Sequence, residues 1–138
     1  MLVVYRLAYH PVAKAIFLWK VRNTAGITAI ACGHIGKRAD PTQATLCANE
    51  ALASNKPFWV AFDLYGIDSF ISIGLSRDKN GSVHRFRYDS NRAGFCLLFC
   101  VPSIRQSVCE RPIVKAEKLV APFDFWSVSV TCKNDDNS

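Results

Sequence analysis

From residue 57 onward the chain alternates between apolar and polar positions, a pattern that predicts β-strands. PFWVAFDLY, FISIGLS and VHRFRYD carry apolar side chains at every second position, and FDFWSVSVTC repeats the pattern near the end. FCLLFCV is continuously apolar, which is typical of a strand covered on both faces. We therefore expect an antiparallel sheet of about five to six strands. The first three segments should form a meander with one buried face.

One segment, DPTQATLCANEALASNKP, has apolar residues three and four positions apart, which is the period of a helix. Asp40 suits the N-cap, Pro41 the first helical position and Gln43 a capping box. The apolar face consists of Cys47, Ala48, Ala51 and Leu52. The sequence thus predicts an α+β fold in which one helix, over about residues 41–54, packs on the sheet.

Asn80-Gly81 predicts a hairpin between the second and third strands, because both residues tolerate a positive φ. With Ser76 facing Val83, strands near 69–76 and 83–89 bring two Asp-Ser pairs together at the open end of the hairpin. The polar cluster expected there contains Asp68, Ser69, Asp89, Ser90 and Asn91. Its oxygen atoms suit a hard cation or a polar ligand. Asp and Ser also cap strand ends, and we expect this capping role.

The first 31 residues contain four basic residues and no acid, and they lead into Ala29-Ile30-Ala31-Cys32. A basic segment, a short apolar stretch and an Ala-x-Ala sequence are typical of an export signal. We therefore expect residues 1–31 to be a leader and Cys32 to be a candidate for lipidation. Residues 32–138 should form one domain with a loose tail, residues 133–138. The alternative is that the N-terminal segment forms a strand and a helix of the domain itself.

Six cysteines in a small exported chain indicate disulfides. The sequence does not select their pairing. We expect at least one disulfide within the group, with Cys47 and Cys132 buried; the candidates are Cys47, Cys96, Cys100, Cys109 and Cys132. The alternative is that several are small buried thiols of an intracellular protein.

The formal net charge of +6 invites a nucleic-acid function, because Lys and Arg release counterions from phosphates. Without residues 1–31, however, thirteen basic residues stand against eleven acidic ones, so little attraction for nucleic acid remains. Arg85 and Arg87 could bind an anion or simply be solvated. An RNA-binding sheet, our second alternative, would need them beside exposed aromatic residues such as Trp59 and Tyr65.

Motifs that mark catalytic sites, such as Gly-x-Ser-x-Gly, a phosphate-binding glycine loop or His-Glu-x-x-His, do not occur in the sequence. His84 lies in a strand pattern with Phe86 and Tyr88, where we expect a hydrogen-bonded core histidine rather than a general base. We therefore expect no enzyme activity. The first alternative is a small enzyme or a cation-binding protein that uses Asp68 and Asp89.

The segment from Cys47 to Asn91 resembles small exported, lipoprotein-like bacterial proteins of uncharacterised function. The resemblance rests on Cys47, Pro57-Phe58-Trp59, Gly66-Ile67-Asp68-Ser69 and Tyr88-Asp89-Ser90. It implies an envelope location and a disulfide, and it implies no activity. Ala29, where such proteins usually have Leu, and the long leader depart from their lipid-attachment pattern.

Together these features predict a non-enzymatic binding module, similar in size to immunity proteins and inhibitors. We expect it to be exported to the periplasm, the outer envelope or the exterior of a bacterium. The expected partner is another protein, with no cofactor, metal or nucleic acid. Contact with a membrane is expected only through a lipid on Cys32.

Overall fold

Two α-helices, seven strands and a 3₁₀ helix make up the part of the chain that the structure, a computed structural model, describes. The described residues are 2–65, 70–90, 103–119 and 125–137, with side chains from residue 12 to residue 135. The elements are α1 (Leu2–Ala25), β1 (Ile30–Ile35), α2 (Thr42–Ala53), β2 (Phe58–Leu64), β3 (Ile71–Arg77), β4 (Val83–Asp89), β5 (Ser103–Val108), β6 (Ile113–Lys118), β7 (Trp126–Thr131) and the 3₁₀ helix η1 (Lys133–Asn137).

The strands form a five-stranded sheet in the order β1–β2–β3–β4–β5 and a separate two-stranded sheet, β6–β7. The α+β class is confirmed. The predicted helix is confirmed as α2, although its N-cap is Pro41, one residue later than predicted. The Asp40 carboxylate, just before the N-cap, accepts the N–H of Thr42. The larger sheet is mixed rather than wholly antiparallel, because β1 runs parallel to β2. β1 was not among the strands predicted for the sheet, because it begins in the segment assigned to a leader; only the alternative interpretation expected a strand there.

Helix α1 packs against the sheet, as the alternative interpretation of the N-terminus expected. Its Phe17 and Val21 side chains are completely buried. They belong to a core cluster with the sheet residues Ala61, Phe86 and Tyr88. Gly74 makes this close approach possible, because a Cβ atom there would lie 2.5 Å from Val21 Cγ2. Cleavage at the predicted site would remove this cover; the role of the segment in export stays a prediction.

The opposite face of the sheet is covered by α2 and the β6–β7 pair. Its core includes Ala48, Ala51, Phe58, Val60, Leu75, Val128 and Val130. The prediction that the central strands have one buried face is therefore wrong, since both faces are covered. The serines of β3 can lie under α1 because they are small and hydrogen-bonded: the Ser76 hydroxyl donates to the carbonyl of Val21.

The hairpin of β3 and β4 is confirmed, but its predicted register is wrong by one residue. Ser76 faces His84 instead of Val83, and the loop is residues 78–82. The Asp78 carboxylate closes this loop by accepting the N–H groups of Asn80 and Ser82. The shift places Phe86 and Tyr88 on the face opposite Ile71, Ile73 and Leu75. These aromatic residues remain buried because α1 covers that face.

Among the described residues, two disulfides connect elements that are separated along the chain and adjacent in the fold. Cys32–Cys47 joins β1 to α2, and Cys109–Cys132 joins the residues that follow β5 and β7. The expectation of a disulfide within the candidate group is confirmed by Cys109–Cys132. Cys132 is buried as predicted, whereas Cys47 is only partly buried.

Lipidation of Cys32 does not agree with its pairing, because a sulfur atom bonded to Cys47 cannot also carry a lipid thioether. Cys96 and Cys100 lie outside the described residues, as does the whole of FCLLFCV.

The end of the chain differs from the loose tail that the sequence predicted. Residues Lys133–Asn137 form η1, and Asn134 donates its side-chain amide to the carbonyl of Val108 at 2.9 Å. No helix in the described part of the chain is both long enough and apolar enough to cross a bilayer.

Candidate functional site

A groove rich in arginine lies beside β7, at the edge of the sheet face that β7 covers. It encloses about 690 Å³ and is lined by Ile73, Arg85, Arg87, Arg105, Gln106, Ser107, Val130 and Asp135. In the register of β3, β4 and β5, Ile73 faces Arg87, and Arg87 in turn faces Arg105. Three arginines against one carboxylate make the lining cationic. The volume is that of a site for a small ligand or a few side chains.

Arg85 already binds a carboxylate in this groove. Its Nη1 and Nη2 atoms lie 2.8 Å and 2.7 Å from the two carboxylate oxygens of Asp135, a bidentate geometry. The hydrogen bond to Arg85 and a further one from the N–H of Cys132 lower the pKa of Asp135 to about 2. The carboxylate raises the pKa of Arg85 in return. One of the three arginines is therefore neutralised within the chain.

Arg87 and Arg105 are directly opposite each other on β4 and β5, and both are exposed. Directly facing residues on antiparallel strands have their Cβ atoms about 4.5–5.5 Å apart, and like charges in this position destabilise a sheet. Neither has an ion-pair partner within the described ranges. The pair is thus a cationic site that an anion, above all a planar carboxylate, would neutralise.

A second polar cluster lies on the α1 side of the sheet, around Asp63. One carboxylate oxygen accepts hydrogen bonds from His34 Nε2 at 2.9 Å and Ser72 Oγ at 2.7 Å, and the other accepts from Lys14 Nζ at 2.7 Å. Burial alone would raise the pKa of Asp63, but the bonds from His34, Lys14 and Ser72 outweigh it and hold the pKa well below its usual range. The cluster connects α1, β1, β2 and β3.

The order of groups in this cluster does not match a nucleophile triad. In a Ser-His-Asp triad, histidine lies between the other two groups and takes the proton of the serine. Here Asp63 is central, and both Ser72 and His34 donate to the same oxygen. Ser72 therefore has no histidine placed to take its proton, and we assign the cluster a role in fixing α1 to the sheet.

His84 is a hydrogen-bonded, largely buried histidine, as the sequence predicted. Its Nε2 lies 3.0 Å from Asp78 Oδ2 in the hairpin loop, and Gln106 is 3.4 Å from its Nδ1. With both ring nitrogens engaged, it connects the loop to β5. Its contacts indicate a structural role.

The predicted Asp-Ser cluster is only partly within the described chain. Asp68, Ser69 and Asn91 lie outside the described residues. Asp89 pairs with Ile71 on β3 and Ser103 on β5. The Ser90 hydroxyl accepts the N–H of Phe70 at 2.8 Å, so Ser90 caps the end of the hairpin. This contact is of the capping kind that we expected; the cation-binding alternative, which needs Asp68, stays a prediction.

Trp59, one of the two aromatic residues named for the RNA-binding alternative, does not lie beside Arg85 and Arg87. Trp59 lies on the α1 side of the sheet, with the Arg22 guanidinium 5.4 Å from its ring centre. Arg85 and Arg87 lie on the other side, opposite Leu75 and Ile73. Trp59 and the two arginines are thus separated by the sheet, and the RNA-binding alternative itself stays a prediction.

The sequence pattern pointed to Arg85 and Arg87 as candidates for anion binding, but nothing in it marked Arg105 and Asp135. The strand β5 had no clear alternation to mark it, and η1 falls in the segment expected to be loose. The alternating placement of Arg85 and Arg87 was a usable signal. A third arginine beside them follows only from the β4–β5 register.

A scan against protein-family models gives no match, and searches among curated proteins and solved structures give none either.

Proposed function

We propose that this protein is an exported binding protein that recognises an acidic segment of another protein through its arginine groove. The observation that carries the proposal is the direct opposition of Arg87 and Arg105 beside an arginine that already binds a carboxylate. An acidic side chain placed between Arg87 and Arg105 would repeat, between molecules, the contact that Arg85 makes with Asp135. No catalytic residue is needed for this function.

Location outside the cytoplasm is supported by the two disulfides of the described residues, because disulfides persist in oxidising compartments and are rare in the cytosol. The resemblance to small envelope proteins points the same way. Mass spectrometry of the natively expressed protein tests this part of the proposal. We expect oxidised cysteines and a protein recovered outside the cytoplasm. Recovery of the intact chain from the cytoplasm with all thiols reduced would contradict it.

Binding of an acidic segment is tested with a labelled oligo-glutamate peptide and an oligo-glutamine peptide of the same length. Fluorescence anisotropy should show binding of the acidic peptide only, weakening as salt is added. The double variant R87Q/R105Q should bind at least about tenfold more weakly, because hydrogen bonds to charged groups are the strong ones.

A matched control is R38Q/K79Q, which removes the same net charge from two exposed positions outside the groove. Equal weakening by the control and the groove variant would show that net charge, not the groove, attracts the peptide. Tighter binding of single-stranded RNA than of oligo-glutamate through the same arginines would favour the RNA-binding alternative and overturn this proposal.

A further inference from the structure

The outer side of α1 exposes a stripe of large apolar residues. Val12, Ile16 and Trp19 follow one another at spacings of four and three, which places them on one face of the helix. They are 59%, 46% and 62% exposed, although the opposite side of the same helix is buried in the core. Ile27, in the turn that follows α1, is completely exposed. We define these four residues as the α1 stripe.

Basic residues flank the stripe. With about 100° of rotation per residue, Lys20 and Arg22 lie about 80° to either side of Val12 around the helix. Both are exposed, and residues 1–39 contain no acidic residue at all. An apolar stripe that contains Trp and is bordered by Lys and Arg is the composition of a helix that lies in the interface of a membrane.

We propose that α1 binds the surface of an anionic bilayer, with the α1 stripe inserted among the lipids and Lys20 among the headgroups. Charge complementarity selects this occupant over a second copy of the chain. Two α1 helices packed through their stripes would bring cations together without any acid from residues 1–39 to neutralise them. The helix lies along the surface, and the contact differs from the lipid on Cys32 that the sequence suggested.

This orientation would point the arginine groove away from the membrane. α1 covers one face of the sheet, and the groove opens on the other, beside β7. A protein bound in this way keeps its candidate binding site in the aqueous compartment. The membrane contact requires that α1 stay in the exported protein, and it uses different residues from the arginine groove, so binding at either site can fail alone.

The proposal is tested by cosedimentation of the full oxidised chain with lipid vesicles. We compare vesicles of pure phosphatidylcholine with vesicles in which one third of the lipid is phosphatidylglycerol. Binding should be strong only to the anionic vesicles at low salt. The variant I16S/W19S should bind at least about tenfold more weakly, since less apolar area is inserted. At low salt, Lys20→Gln should bind about fivefold more weakly than the unchanged protein. At high salt the two should bind alike, because salt screens the charge of Lys20.

The matched control is V108S/I113S, which alters two apolar residues of similar exposure on β5 and β6. It should bind as the unchanged protein does, and thermal melts confirm that each variant is folded. Equal loss in the stripe variant and the control, or no binding to anionic vesicles, would overturn the proposal. So would a dimer that I16S/W19S converts to a monomer without any effect on vesicle binding. R87Q/R105Q should retain vesicle binding, and a loss equal to that of the stripe variant would assign the contact to net charge instead.

Discussion

The two faces of the five-stranded sheet are both buried, yet they are covered in different ways. α2 and the β6–β7 pair cover one face, and two disulfides connect these elements to the sheet. α1 covers the other face without any disulfide in the described part of the chain. It relies on close packing at Gly74 and on the hydrogen bonds of Asp63.

The comparison shows where each face can tolerate charge. On the disulfide-linked face, Arg87 and Arg105 remain directly opposed at the margin, where solvent is present. On the α1 face, the charged group is largely enclosed, so it needs partners from three elements at once. The first face can therefore present unpaired charge to a ligand, whereas the second uses its charge to hold the fold together.

Removing the Cys109–Cys132 disulfide should have the largest effect. The variant C109S/C132S should lose about 2–5 kcal/mol of unfolding free energy, because the unfolded chain is no longer cross-linked. Denaturant unfolding of the oxidised protein and the variant measures the difference. Oligo-glutamate binding should weaken as well, since Val130 and Asp135 flank Cys132 and line the groove. Equal stability of the two proteins would contradict the importance of the covalent connection.

Gly74→Ala should destabilise the α1 face by about 1–3 kcal/mol through overpacking. The added Cβ would lie 2.5 Å from Val21 Cγ2 and 3.3 Å from Phe17 Cζ. The control is Gly36→Ala, because nothing lies within 4 Å of a Cβ built there. Thermal unfolding should show a lower Tm for the first variant and little change for the second. Equal effects would mean that α1 does not pack as closely as described.

The hydrogen-bonded carboxylate of Asp63 should make the α1 face sensitive to acid. Its pKa is lowered below the usual value of 3.8, so its stabilising contribution is complete above that pH and is lost as the pH falls through the folded-state pKa. Asp63→Asn should cost about 1–2 kcal/mol at neutral pH, because the charge-assisted bond to Lys14 is lost. The cost should shrink progressively below pH 3.8.

Urea unfolding at several pH values, for the unchanged protein and for Asp63→Asn, measures this dependence. Glu117→Gln makes the same chemical change at an exposed position and serves as the control. A difference between Asp63→Asn and the unchanged protein that stays constant from neutral pH to strong acid would show that the Asp63 charge does not hold α1 on the sheet.

The helix and strands that depend on local sequence patterns could be predicted from the sequence. Asp40 and the apolar spacing identified α2, and alternation identified β2, β3, β4 and β7. The hairpin register was missed by one residue because Asp78 caps a five-residue loop, residues 78–82, and local pattern alone does not reveal that bond. Because of this error in register, Phe86 and Tyr88 were predicted on the wrong face of the sheet.

α1 was not predicted as part of the core because its apolar residues surround the helix, and a uniformly apolar, basic segment is also what an export signal looks like. The Asp63 cluster required knowing that α1 lies on β2 and β3. The arginine groove required the pairing of β4 with β5, whose connection spans residues 90–102 and leaves the register open. The Asp63 cluster and the arginine groove both depend on contacts between residues that are distant in sequence, which local propensity does not predict.

The smallest effect we predict has the opposite sign to the others. Arg105→Gln removes one of two like charges that face each other across β4 and β5, so the variant should be slightly more stable, by about 0.2–1 kcal/mol. Added salt should reduce the gain, because it screens the repulsion in the unchanged protein. Arg38→Gln, which removes an exposed arginine outside the groove, is the control. Denaturant unfolding at low and high salt measures both variants.

The same Arg105→Gln protein should bind oligo-glutamate more weakly, so that stability and binding move in opposite directions. This opposition is expected of a residue retained for a ligand at some cost to the fold. A loss of stability in Arg105→Gln at low salt would instead mean that Arg105 stabilises the sheet. Arg87 and Arg105 would then not be a repelling pair that is open to an anion.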